Sequence, residues 1–350
     1  MAKAGITVRK KTILLIVTLL CSIILLVYTI LSRRGGPASG KYTEARMLMG
    51  TFVRLDTCRS APDKDAAYAH AWERLEDIAW RMNVYDERSE VTRINNARFE
   101  PAYVGKDTYA VLERSASISE ATAGAFDITV RPLIELWKDS AAQDTVPEQG
   151  QLDAVLQAVG RDKLILLSDN RVKLADPRTK IDLGGIGKGY AVDEAARIFR
   201  EHGIRDFFID AGGDVYAGGT NCSGRPWRVG IKDPRDQAQI IDVVEVTDRA
   251  VMTSGNYEQF LVIRGEHWSH ILDPRTGFPQ KEVVSATVIG PEAMDADAMA
   301  TALCVLGGAK GVEYMDTAAG QYDGLIIVRQ GPADIEQFRS QGYGTYRPKE

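Results

Sequence analysis

The chain has 350 residues, 45% hydrophobic and 26% charged, which fits a folded globular protein and excludes disordered, collagen-like and disulfide-dense classes. Its net charge of −5 is unevenly spread: residues 1–34 hold six basic residues (Lys3, Arg9, Lys10, Lys11, Arg33, Arg34) and no acidic one, leaving 37 basic against 48 acidic residues, or −11, elsewhere. A body this acidic repels phosphate backbones and excludes general nucleic-acid binding, so an anionic ligand needs a metal ion, a few cations or backbone N–H groups.

Thr12–Leu31 is a run of 20 uncharged residues between Arg9-Lys10-Lys11 and Arg33-Arg34. In helical form it spans about 30 Å, the thickness of a bilayer core. The expected order is a cytoplasmic N-terminus at 1–11, a transmembrane anchor at 12–31, a flexible tether at 32–40 and one catalytic unit at 41–350. Cleaved signals are usually shorter and end small-x-small. Cys21 offers a lipidation point but follows bulky Leu20, so cleaved and lipidated forms stand as alternatives. With the amino terminus counted, the N-terminal flank is the more positive, which places the body outside the cytoplasm, on the periplasmic side of the inner membrane.

Met49–Cys58 alternates as a strand, and Asp63–Met82 carries Trp72, Leu75, Ile78, Ala79 and Met82 at helical spacing. Asp107 is placed to cap a helix through Ala123 with Gly124 as its stop, and the polar, Pro147-containing stretch Ser140–Gly150 reads as a surface excursion. Leu164–Leu167 is a strand and Gly189–His202 a helix. Strands follow at Phe207–Asp210, Val215–Ala217, Val229–Ile231, Ile240–Val246, Phe260–Ile263 and Val284–Ile289, then a helix at Ala293–Leu306 and a strand at Leu325–Val328. Helices and strands do not alternate regularly, so a mixed-sheet α+β fold is expected rather than a doubly wound one. Of the cysteines, Cys304 lies in an apolar stretch and reads as core, while pairing of Cys58 with Cys222 is left open.

Three stretches carry chemistry. Asp182-Leu183-Gly184-Gly185-Ile186-Gly187-Lys188-Gly189-Tyr190 is a glycine-rich entry to a helix, suited either to phosphate oxygens or to a plain tight turn. It is not a Walker A loop, since Gly189 follows Lys188, nor a dinucleotide fingerprint, since Tyr190 stands where the third glycine is required. In the second stretch Asp297 and Thr301 are one helical turn apart, a hydroxyl and a carboxylate suited to a hard cation such as Mg²⁺; helix capping is the alternative and accounts for Asp295. The third, His267-Trp268-Ser269-His270-Ile271-Leu272-Asp273-Pro274-Arg275-Thr276-Gly277, holds two of the four histidines, the side chain suited to proton exchange near neutrality. His70, on a surface-like helix, reads as structural.

Together with Gly124-Ala125-Phe126-Asp127-Ile128-Thr129-Val130, Asp210-Ala211-Gly212-Gly213-Asp214 and Ser254-Gly255-Asn256-Tyr257-Glu258, these stretches make the sequence resemble the ApbE family of FAD:protein FMN transferases, from Met49 to about Val328. The resemblance implies Mg²⁺-dependent cleavage of FAD, with the FMN half passed to a Ser or Thr hydroxyl of a target protein and AMP released. It places Met49, Tyr85, Ala125, Phe126, Asp127, Asp182, Lys188 and Leu272 on the FAD pocket and the metal on Asp297, Thr301 and the Gly185 carbonyl. Some members have an acidic residue where Ala300 stands; water or Asp295 would substitute here. The position of Lys188 also carries other side chains in the family. His270 is the candidate base, or else a residue that holds the Asp273 turn. Expected acceptors are subunits of sodium-pumping NADH:quinone reductase or Rnf-type complexes. Mg²⁺-dependent FAD hydrolysis and non-catalytic flavin binding are the competing readings.

Overall fold

The computed structural model describes residues 40–256, 260–331 and 334–348. The anchor and tether expected before residue 40, Cys21, Tyr257 and Glu258 lie outside the described residues. Among those described, no helix is long and apolar enough to cross a membrane.

The strands are β1 (Lys41–Leu48), β2 (Thr51–Cys58), β3 (Ala102–Tyr103), β4 (Leu164–Leu167), β5 (Arg171–Leu174), β6 (Phe207–Ala211), β7 (Asp214–Gly218) and β8 (Trp227–Asp233). They continue with β9 (Asp236–Val246), β10 (Arg249–Gly255), β11 (Phe260–Ile263), β12 (Glu266–Ser269), β13 (Val283–Gly290), β14 (Asp323–Arg329) and β15 (Ile335–Arg339). The helices are α1 (Lys64–Arg81), α2 (Glu90–Asn96), α3 (Lys106–Ala121), α4 (Arg131–Ala142), α5 (Gln149–Leu156), α6 (Gly187–Glu201), α7 (Ala293–Leu306) and α8 (Gly308–Thr317).

Eight strands form the central sheet in the order β1-β2-β6-β7-β10-β13-β14-β15, and every neighbouring pair is antiparallel. The expected α+β class is therefore the observed one. Successive side chains on a strand point to opposite faces, and β14 uses both. Ile326 and Val328 join the core under α1, α6 and α7, while Leu325 and Ile327 join a second core covered by the β8–β9 hairpin. A sheet buried on both sides explains why every residue of β13 is inaccessible, Ser285 and Thr287 included. α7 is apolar nearly all round because it lies between α6 and strands β10 and β13.

Several local readings change. Met49 does not begin a strand: with φ of 52° it forms, with Gly50 at 77°, the two-residue turn between β1 and β2, the backbone twist that tight hairpins require. Asp107 does not cap α3, whose N-cap is Gly105; its carboxylate instead takes Arg74 at 2.5 and 2.8 Å and the Tyr190 hydroxyl at 2.7 Å. The stretch 140–150 is a mostly exposed loop at 143–148 as expected, but its two ends are helical, because α4 runs to Ala142 and a Glu148–Gln151 capping box starts α5. His70 is a surface residue on α1, with Nδ1 3.0 Å from His202 Nε2, and His202 Nδ1 is 2.5 Å from Asp63.

Cys304 is buried as expected. Cys58 at the end of β2 and Cys222 beyond β7 form a disulfide, with Cα atoms 5.5 Å apart and 164 positions between them in sequence. Closing so long a loop restricts the unfolded chain. Replacing both cysteines by serine is expected to lower unfolding free energy by about 2 to 5 kcal/mol, measured by denaturant titration, and reductant should then leave the variant unaffected.

Candidate active site

The glycine-rich stretch is held in place before α6 begins. Asn95 on α2 clamps Ile181 from both sides, accepting its N–H at 2.7 Å and donating to its carbonyl at 3.0 Å. Asp182 N–H donates to the Ile128 carbonyl at 2.8 Å, which ties the bend to the Ala125–Val130 segment. The Asp182 carboxylate closes the bend itself, accepting Gly184 N–H at 2.9 Å, and also takes Arg131 at 3.0 Å.

The bend lies against α7 at two points. A methyl group on Gly189 would sit 2.6 Å from the Ala293 carbonyl carbon, and one on Gly185 would sit 3.0 Å from Thr301 Oγ1 and 3.4 Å from the Phe126 ring. Gly189 N–H donates to Asp297 at 3.0 Å, and Ser254 and Thr301 share a hydroxyl contact of 3.2 Å. Gly185, Phe126, Asp297 and Thr301 are thus brought to one locus. Asp297 is buried; burial holds its carboxyl above the ordinary range, Lys188 opposing that shift and Asp214 adding to it. Lys188 pairs with Asp214 at the start of β7, and Asp214 also accepts Thr253 N–H at 3.0 Å.

The donor set suits a hard cation: one carboxylate, one hydroxyl and a backbone carbonyl, all oxygen, where the absent Gly185 side chain leaves Thr301 close to the main chain. Among the described residues no group of three His, Cys, Asp or Glu is placed to hold a metal, so an ion here would depend on the single Asp297 carboxylate, the two neutral oxygens and water. Asp295 is neither helix cap nor spare ligand. Its carboxylate is paired with Arg114, at 2.6 Å from Nε, and accepts the Tyr322 hydroxyl at 3.0 Å. The cap of α7 comes instead from α6, where Asp193 accepts the N–H groups of Ala293 and Met294 at 2.8 Å each.

Beside the bend, the Arg131 guanidinium lies 5.0 Å over the Tyr85 ring, and Lys138 donates to the Tyr85 hydroxyl at 3.0 Å. These cations lower the Tyr85 pKa, Lys138 first. With 70% exposure, Tyr85 is an aromatic face open to a ligand. Ala125 and Phe126 are buried in the main core, against which Met49 packs. The Asp127 carboxylate is engaged by Ser119 at 3.1 Å and by Thr129 N–H at 2.8 Å, so its side chain shapes the loop. Leu272 belongs to a separate core with Trp137 and Leu133. His270, half-buried, directly follows β12; the turn after it is closed by Arg275 on Asp273 at 2.8 and 2.9 Å. Lys188, Asp182 and the Gly185–Asp297–Thr301 group lie together around the bend, while Met49, Leu272 and His270 stand on other elements.

The sequence pattern of the ApbE family matches residues 49–326. The chain belongs to the ApbE family. It is 33% identical over 279 residues to the FAD:protein FMN transferase of Vibrio cholerae, covering 78% of this chain and 81% of that one. It is 34% identical over 296 residues to the Escherichia coli K12 protein of the same name, covering 80% and 83%. Among solved structures, the ApbE protein of Thermotoga maritima superposes with a TM-score of 0.80 at 33% identity, over 89% of this chain and all (100%) of that one. The flavin transferase ApbE from Vibrio cholerae gives 0.77 at 30%, over 88% and 99%.

Asn95, Arg131, Asp193 and Asp214 support this ApbE site without having been singled out in sequence. Asp214 closes one of the family stretches and Asp193 lies three residues beyond another, but only the packing of α6 on α7 and of β7 on β10 gives them these partners.

Two outcomes are expected. Gly189→Ala should force α6 and α7 apart and cost roughly 1 to 3 kcal/mol in urea unfolding, whereas Gly150→Ala, with open space around it, should unfold like the parent. Burial raises the Asp193 carboxyl to about 7 despite its two N–H partners. The native state therefore holds a proton that the unfolded chain loses above its ordinary carboxylate pKa, so stability should fall as pH rises from about 4 to about 7 and level off beyond. Asp193→Asn cannot titrate, and the difference in unfolding free energy between parent and variant should move by at most roughly 4 kcal/mol across that window; a pH-independent difference would refute the assignment.

Proposed function

We propose that this chain is a flavin transferase that passes the FMN half of FAD to a Ser or Thr hydroxyl of a target protein, releasing AMP. The observation that carries the reading is the convergence of Gly185, Thr301, Asp297 and Lys188 around the glycine bend, in a member of a family whose relatives are named FAD:protein FMN transferase.

The chain's own groups divide the work. The exposed Tyr85 ring, backed by Arg131, offers a stacking face to a flavin or adenine ring, and the buried Ala125 and Phe126 exclude water beneath the bend. Lys188 places a cation beside the bend, where the pyrophosphate of FAD would lie. Asp297, Thr301 and the Gly185 carbonyl would hold Mg²⁺, which supplies charge neutralisation to a phosphoryl group in transfer. The acceptor oxygen attacks the phosphorus of the FMN half, the bond to AMP breaks, and the proton of the hydroxyl passes to His270 as base. A Ser or Thr hydroxyl is a weak nucleophile, and a positioned base contributes about 10²- to 10⁴-fold.

Attachment to the inner membrane through residues 12–31, with the body on the periplasmic side, is part of this proposal. The Cys58–Cys222 disulfide supports it, since such bonds persist in oxidising compartments. By family resemblance the acceptors are subunits of sodium-pumping NADH:quinone reductase or Rnf-type complexes.

Asp297→Ala is expected to abolish FMN attachment to a co-expressed acceptor, read as a missing mass increment on the intact acceptor. His270→Asn should slow transfer by about 10²- to 10⁴-fold with FAD affinity retained; loss of FAD binding instead would make its role structural. AMP release from FAD at an undiminished rate without any acceptor would replace transfer by hydrolysis.

A further inference from the structure

Transfer to a protein demands a surface that delivers a main-chain segment to His270. β12 ends at Ser269, immediately before that residue, and among the described residues it pairs only with β11, antiparallel from Phe260↔Ser269 to Ile263↔Glu266. A cleft of about 480 Å³ opens beside it. Four consecutive residues of β12, Glu266 through Ser269, line that cleft. A cavity resting on one face of a strand touches alternate residues; contact with four in a row means that this one runs along the strand's edge.

The far wall explains why the edge is open. Beyond His270 the chain pairs with its own return, with Leu272 opposite Pro279 and Gln280 N–H donating to the Ile271 carbonyl at 3.0 Å. That ladder stops at Gln280, whose side-chain amide binds the Val283 main chain, donating to its carbonyl at 2.8 Å and accepting its N–H at 3.1 Å, and touches β12 only through the Ser269 hydroxyl at 3.4 Å. The return strand is thereby led off into β13, leaving a slot between β12 and Lys281, whose ammonium lies 5.2 Å over the Trp268 ring. At the near end Phe260 and His267 stack at 4.3 Å. Asn256, which also lines the cleft, follows Ser254 and Gly255, and Ser254 touches Thr301. Both ends of the slot therefore continue by a few covalent bonds into the candidate active site.

Resting on the transfer reading above, we infer that the acceptor protein docks by laying an extended segment against the free edge of β12, with its Ser or Thr side chain directed to His270. Main-chain hydrogen bonds along an edge bind a strand largely independently of its sequence, and side-chain pockets add selectivity. Lys281 and Arg329 outnumber Glu266 on the cleft walls in a chain of net charge −5, which favours a neutral or acidic segment over a basic one.

The test uses the full chain with FAD, Mg²⁺ and a pool of peptides of about a dozen residues, long enough to span one strand, with a fixed central threonine and random flanks. Mass spectrometry reads which peptides gain FMN, and a folded flavoprotein acceptor is present in a parallel reaction. The expected result is a labelled subset depleted in basic flanks. For a labelled peptide, Lys281→Glu combined with Arg329→Glu should raise KM by about tenfold or more while kcat and FAD affinity hold. A threonine-to-valine form of that peptide should slow amide hydrogen exchange at residues 266–269.

An unchanged KM, or no added protection of β12, overturns the inference. Labelling of the folded acceptor with no peptide labelled overturns it too and leaves the transfer reading intact. If neither is labelled, the transfer reading itself fails and this inference falls with it.

Discussion

The site depends on the distance between two helices. α6 and α7 meet where Gly189 lies against the Ala293 carbonyl, closer than any side chain would allow. Only at that separation does Gly189 N–H reach Asp297, and only then does the bend bring Gly185 onto Thr301. A backbone donor, a carboxylate and a hydroxyl from segments more than a hundred positions apart thus become neighbours. The glycines are there for contact between elements, and their capacity to face phosphate follows from it.

Around that junction the carboxylates divide by partner. Asp193 accepts two N–H groups that α7 leaves unsatisfied at its start, taking the place of a cap that α7 lacks in its own sequence. Asp295 is neutralised by Arg114 and Tyr322 and belongs to the scaffold. Asp214 is paired with Lys188. Asp297 is left with a single backbone donor in a desolvated position, the arrangement in which a carboxylate gains most from a cation. Four acidic residues around one junction therefore have four different roles, set by what faces them.

Transfer to a protein also requires access, and the fold supplies it on a different scale. The small β11–β12 sheet stands apart from the eight-stranded one, and beside His270, among the described residues, β12 pairs with no strand but β11. Rigidity at the bend and openness at the hairpin are complementary demands of a reaction whose second substrate is itself a folded chain.

Much of this was legible in the residues. Regular apolar spacing marked α1 and α7, and strand-like runs marked β4, β6, β7 and β14, because periodicity reports directly which face is buried. The one-turn spacing of Asp297 and Thr301 and the glycine-rich entry to α6 were local patterns, and so were the stretches that carry the family resemblance. Short or edge elements such as β1, α2 and α5 were not seen, since each makes sense only against neighbours that periodicity cannot supply. Asp107 had every local attribute of a cap, yet Arg74 and Tyr190 offered it stronger, charge-assisted partners. The amino-acid sequence by itself thus determined the α+β class, the family and the chemical types at the site, because these rest on spacing within a few residues. Which carboxylate is free for a ligand, that Cys58 meets Cys222, and where an edge stays open were decided by tertiary structure alone, since each depends on a partner that the fold brings in from far along the chain.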